Sequence, residues 1–249
     1  MSEPDPPHWE TIGPPPLGLF AREQGRAALE LAALGSRRRI LDSAPRGDGH
    51  PVLVLPGLLA GDFSTGPLRR FLRELCYDAH GWKLGLNLGP NSALRVRLEE
   101  RLRALRQRHG RRVSLVGWSL GGIYARELAR AFPADVRLVI TLGTPFRDIS
   151  ATHAARLVPI RPGGRPLHEA QELRAHLRKA LPGPFTSIYS RSDGIVAWRS
   201  CVEEAGPACE SVEVSCSHTG MGFHAGVLGV IADRLALPEG AWKPYPRRA

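Results

Sequence analysis

Gly117-Trp118-Ser119-Leu120-Gly121-Gly122 follows Arg112-Val113-Ser114-Leu115-Val116 and precedes Ile123-Tyr124-Ala125-Arg126-Glu127-Leu128-Ala129-Arg130-Ala131. The first flank reads as a short buried strand and the second as a helix, so the hexapeptide is G-x-S-x-G at a strand-to-helix turn. A serine on so sharp a turn leaves no room for side chains two residues to either side. Gly117 and Gly121 supply that room, and Gly122 lets the helix pack close. The turn lifts the Ser119 hydroxyl clear of the sheet. It also sets the Leu120 N–H at a helix N-terminus, where partial positive charge can meet an oxyanion. A glycine-rich turn with a spectator serine would look the same over six residues, so the rest of the chain must supply the partners.

Outward from the hexapeptide, apolar runs and helical stripes alternate. Val52–Leu55 reads as a buried parallel strand, followed by the glycine-bearing loop Pro56-Gly57-Leu58-Leu59. Leu68, Phe71, Leu72 and Leu75 line a helix that Ser64 or Thr65 can cap, and His80–Gly85 suits a short strand. Ala93–Arg108 is amphipathic, with Leu94, Leu98, Leu102 and Leu105 on one face. Val136–Leu142, Phe185–Ser190 and Val212–Val214 read as further strands, and Gly222–Leu235 as a closing helix. Before all of these, Leu17, Phe20, Ala21, Ala27, Ala28, Leu31 and Leu34 form an apolar stripe at helical spacing. The alternation predicts an α/β fold with a mostly parallel, helix-flanked sheet of about six strands. The chain divides into a Pro-rich arm and helix (1–50), the main domain (51–237) and a Pro/Arg-rich tail (238–249). Residues 146–183 break the strand–helix rhythm and form an irregular insertion placed to act as a lid.

Composition limits the partners. At 249 residues and 43% hydrophobic, the chain can bury a sizeable core. The net charge of +10 is almost wholly arginine, scattered over helices and loops, with aromatics at only 6%. Without a nucleic-acid motif or stacking platforms, that charge reads as solvated faces and excludes a nucleic-acid partner. A basic surface also suits peripheral contact with an anionic membrane. There is no apolar run long enough to span a bilayer, and the start is acidic and Pro-rich rather than a secretory signal, so a cytoplasmic location is expected. Cys76, Cys201, Cys209 and Cys216 lack metal-type spacing; Cys201 and Cys209 could meet across their loop, but free thiols are expected.

Chemistry in such a sheet gathers at the carboxyl ends of the strands. Ser119 needs a base, and His218 lies between the last strand and the last helix, with His224 as its rival. The base needs an orienting acid, and Asp193 follows a strand with Gly194 after it; Asp148 and Asp62 are the rivals. The backbone N–H groups of Leu58 and Leu120 are the oxyanion donors. The three side chains run Ser, Asp, His along the chain, the hydrolase order.

Taken together, Pro56-Gly57-Leu58, Gly117–Gly122, Gly143-Thr144-Pro145, Asp193-Gly194-Ile195-Val196 and Ser217-His218-Thr219-Gly220 resemble the α/β-hydrolase family over about Val52–Leu235, closest to its lipase- and deacylase-like bacterial members. The resemblance implies Ser119 as nucleophile, His218 as base and Asp193 as acid. Two early strands common in the family are missing, and Trp118 and Pro56 stand where many lipases carry histidine. The expected activity is cleavage of carboxylic or lipid esters through an acyl-enzyme. Acyl transfer on the same residues, or an idle module that only binds, are the alternatives. There is no calcium-site signature, and neither metal nor cofactor is assigned.

Overall fold

The computed structural model describes residues 12–33, 42–153 and 167–246. Six strands, β1 (Pro51–Leu55), β2 (Asp78–Gly81), β3 (Val113–Trp118), β4 (Val136–Leu142), β5 (Phe185–Tyr189) and β6 (Cys209–Glu213), form one sheet in the order β2-β1-β3-β4-β5-β6. Every neighbouring pair is parallel. β1, β3 and β4 are buried at every residue, which is why they read as mainly apolar runs, with Ser114, Arg137 and Thr141 as the buried polar exceptions. The chain leaves β1 toward the edge strand β2 and returns on the other side as β3. The crevice where the strand order reverses therefore opens between the tips of β1 and β3.

Helices α1 (Leu17–Ala32), α2 (Gly66–Glu74), α3 (Ser92–His109), α4 (Leu120–Ala131), α5 (Leu167–Arg178) and α6 (Ala225–Ala236) surround the sheet. Val52 and Val54 face α2 and α6, while Leu53 and Leu55 face α3 and α4, so two apolar clusters sandwich the strands. Leu94, Leu98, Leu102 and Leu105 of α3 are buried as their spacing requires. Asn91 caps that helix by accepting the Leu94 N–H (2.8 Å), and Gly110 ends it in the left-handed region at φ 62°.

Several expectations shift. The edge strand β2 starts at Asp78 rather than His80, and the last strand is Cys209–Glu213 rather than Val212–Val214. Both are half-buried and polar, so no apolar run marks them. Thr65 stands at the start of α2 but makes no side-chain cap; its hydroxyl donates back to the Asp62 carbonyl. The four cysteines are free thiols, as expected. Of the apolar stripe of α1 that is described, only Ala27 enters the core: Leu17, Phe20 and Leu31 are exposed, and Glu23 is buried instead. Leu34, and residues 154–166 of the insertion, lie outside the described residues. The helical part of the insertion, α5, is bonded to α4. The Arg126 guanidinium of α4 bonds the Leu177 and Lys179 carbonyls (both 3.2 Å) and Glu203, stacked on Phe146 and Phe185.

At the opposite end of the sheet from the strand tips, His50 is fully buried beside Asp48, Ser114 (2.9 Å) and Arg137 (3.2 Å). Burial, with Arg137 adding to it, pushes His50 down from 6.5 to about 4. The unfolded chain binds a proton near 6.5 and the folded one does not, so this contribution is complete above 6.5 and is lost as pH falls toward 4. The expected loss is ~3 kcal/mol between pH 7 and 4. Urea unfolding of wild type and His50→Gln across that range checks it: the variant's pH dependence should be flatter by about that amount.

Candidate active site

β3 ends at Trp118 and α4 begins at Leu120, leaving Ser119 alone between them at φ 53°, ψ −120°. A non-glycine residue there costs on the order of 1–3 kcal/mol, which the surroundings must offset. The Ser119 N–H donates to the Leu142 carbonyl (2.8 Å), and the Thr144 hydroxyl donates to the Ser119 carbonyl (2.9 Å). A Cβ on Gly121 would lie 2.3 Å from the Leu55 carbonyl oxygen, and one on Gly117 2.4 Å from the Gly122 Cα. Both glycines are thus fixed by backbone approach. Leu120 is the first residue of α4, so its N–H is among those no intrahelical carbonyl takes.

The loop after β1 crosses this turn. A Cβ on Gly57 would come 3.3 Å from the Ser119 Cβ. The loop is held by Asn87, which is fully buried: its side chain donates to the Pro56 carbonyl (3.0 Å) and accepts from the Tyr124 hydroxyl (3.2 Å). Its backbone accepts the Leu59 N–H and donates to the Ala60 carbonyl (both 2.8 Å). Among the described residues, the Leu58 N–H beside Ser119 has no intramolecular acceptor.

His218 and Asp193 meet at the neighbouring tips, with Nδ1 2.7 Å from Oδ2. Both are buried. The other Asp193 oxygen accepts the Ile195 (2.8 Å) and Val196 (2.7 Å) N–H groups, which fixes the carboxylate plane. The imidazole lies against Gly143 at the end of β4, where a Cβ would be 2.9 Å from Nδ1. Beneath it, the Trp118 indole N–H donates to the His218 carbonyl (3.2 Å). A proton on Nδ1, facing the carboxylate, leaves Nε2 as the acceptor. Burial disfavours the imidazolium, but Asp193 and then Glu23 outweigh it and hold His218 above its ordinary pKa.

The rivals have other work. Asp148 pairs with Arg174 (3.3 Å) and accepts from Ser150. Asp62 accepts the Trp82 (3.0 Å) and Lys83 (3.1 Å) N–H groups. His224 caps α6, accepting the Gly226 N–H.

Sequence reasoning missed the support from α1. Glu23, 1% exposed, accepts the Gly194 N–H (3.0 Å) with one oxygen and the Thr219 N–H (2.7 Å) with the other. One carboxylate thereby holds the residue after Asp193 and the residue after His218. Glu30 accepts the Ser217 N–H (2.7 Å), and Arg26 donates to the Ser192 carbonyl and hydroxyl. The i, i+3, i+7 spacing of Glu23, Arg26 and Glu30 was legible, but nothing in it told a solvated face from a buried one.

Residues 52–249 match the family described as "Alpha/beta hydrolase family". Among solved structures, lipase B of Aspergillus fumigatus is similar at TM-score 0.57 and 17% identity, over 81% of this chain and 58% of that one. Mature Bacillus licheniformis lipase BlEst2 is similar at 0.56 and 18%, over 77% and 94%. A pyrethroid hydrolase from Sphingobium faniae JZ-2 is similar at 0.55 and 18%, over 76% and 98%. This chain thus spans less than two thirds of the Aspergillus lipase. No curated protein matches the sequence.

Glu23→Gln removes the charge that helps raise His218 and one of the two N–H acceptors. An NMR titration of the His218 ring should show its pKa lowered in the variant; an unchanged value would mean Glu23 does not act on the imidazole.

Proposed function

The chain belongs to the α/β-hydrolase family, and from that premise we propose that it is a serine hydrolase that cleaves carboxylic esters bearing an apolar acyl group. The observation that carries this is the His218–Asp193 pair, 2.7 Å apart and seated on Gly143, whose strand tip also takes the Ser119 N–H through Leu142. In this reading Ser119 Oγ attacks the ester carbonyl while His218 Nε2 takes its proton. The tetrahedral oxyanion is met by the Leu58 and Leu120 N–H groups. His218 then returns the proton to the leaving alcohol, and the acyl-enzyme forms. Water, deprotonated by the same nitrogen, releases the acid and frees Ser119. Asp193 keeps the ring in the required tautomer and stabilises the imidazolium.

The apolar preference rests on the surround. Leu59 and Phe63 on the loop after β1, and Leu86 and Leu88 on the loop bonded to it through Asn87, are all exposed large hydrophobics. Exposed apolar side chains on the two loops next to the Leu58 donor suit an acyl chain better than a charged or sugar ester. The lipases among the similar structures agree with the reading, although at 17–18% identity they speak for the fold alone.

A series of p-nitrophenyl esters from short to long acyl chains tests it. The wild type should hydrolyse them with a preference beyond acetate, and Ser119→Ala should lose at least ~10³-fold in kcat/KM. Full activity in Ser119→Ala would overturn the mechanism, and strict acetate preference would overturn the apolar acyl site. Added acceptor alcohol should not divert the product from free acid to a new ester.

A further inference from the structure

We propose that Asp78, His80 and His109 form a binding site for a zinc-class divalent cation that ties the edge strand β2 to the last turn of α3. Asp78 and His80 are two apart on β2 and share a face. His80 stands beside Leu53 in the parallel register, and Leu53 packs with Leu94, Leu98, Leu102 and Leu105 of α3. His109 is the last residue of that helix. The fold therefore delivers all three side chains to one place, although their positions in sequence carry no recognisable metal spacing.

The local geometry favours a metal over a hydrogen-bonded cluster. One carboxylate oxygen of Asp78 lies 3.2 Å from Nε2 of His80 and 3.2 Å from Nε2 of His109. The two rings stand edge to face with centroids 5.7 Å apart. Despite these distances, both Nε2 atoms are buried and neither makes an aligned hydrogen bond. Two such orphaned nitrogens would each cost stability. A cation among the three atoms satisfies them together. Zinc bonded to nitrogen and oxygen at about 2.0–2.1 Å in tetrahedral geometry sets ligand atoms about 3.3 Å apart, close to both observed separations. The third edge is no longer than 4.8 Å and closes by side-chain rotation at the helix end.

Two imidazoles and one carboxylate suit zinc, nickel or copper rather than calcium or magnesium, which need more oxygen ligands. The Asp78 side chain is 41% exposed, leaving room for water as the fourth ligand. The site lies on the edge strand, starting at the end of β2 away from the strand tips that carry Ser119, so its role is structural. It stands independently of the proposed esterase chemistry.

The test uses tag-free full-length chain stripped with chelator, then supplied with zinc. One zinc per chain should survive gel filtration, and the Tm should rise on the order of 5 °C at zinc 100-fold above its Kd. The His80→Gln/His109→Gln double variant should lose both effects. No retained zinc in the wild type, or equal retention and the same Tm rise in the double variant, overturns the site. If the variant does not fold, diethyl pyrocarbonate labelling of the wild type decides. Zinc should protect His80 and His109 while leaving His153 and His224 reactive, and equal labelling of all four with and without zinc overturns the site.

Discussion

Two backbone N–H groups from two separate loops end on one buried carboxylate. Gly194 follows Asp193 and Thr219 follows His218, and both donate to Glu23 of α1. The loops they belong to leave different strand tips and have no reason of their own to stay in register. Glu23, with Arg26 on Ser192 and Glu30 on Ser217, fixes both against one rigid helix. The 2.7 Å contact between His218 and Asp193 depends on that register. A loop bond to a carboxylate is charge-assisted and stronger than a neutral one, and losing the acceptor would leave buried donors unmet. The helix that looked peripheral in sequence therefore serves as the back plate of the site.

The sheet does the rest of the positioning. Its strand order reverses between β1 and β3, which opens a crevice flanked by the Pro56–Leu59 loop on one side and Ser119 on the other. Asn87, itself anchored to Tyr124, holds the first side through three hydrogen bonds, while close backbone approach at Gly117 and Gly121 holds the second. The strained Ser119 backbone is thus over-determined from both directions. Arg126, packed over the Phe146 and Phe185 rings, fastens α5 to the same layer.

Much of this was legible in the sequence because its causes are local. Fully buried strands leave continuous apolar runs, and the Ser119 turn demands glycines at fixed offsets. Asp193 and His218 could be picked out as candidates from their place after strands, and their side chains meet in the structure. The edge strands were not readable in full: Asp78–Gly81 and Cys209–Glu213 pair on one side only and mix polar with apolar residues. Glu23 was hidden for a different reason. Its partners are backbone N–H groups 171 and 196 residues away, and no side-chain pattern announces a backbone donor. Most of the apolar stripe of α1, all but Ala27 among its described residues, faces outward for the same reason, since the charged face had bonds waiting inside. Asp78, His80 and His109 likewise become a group only once α3 is laid on the sheet.

The central claim is that Ser119 is the nucleophile activated by His218. Covalent labelling with a fluorophosphonate, followed by peptide mapping, tests it most directly. The account predicts a single adduct on the peptide carrying Ser119, formed much more slowly in His218→Ala. An unlabelled wild type, an adduct on another serine, or an undiminished rate in His218→Ala would contradict it.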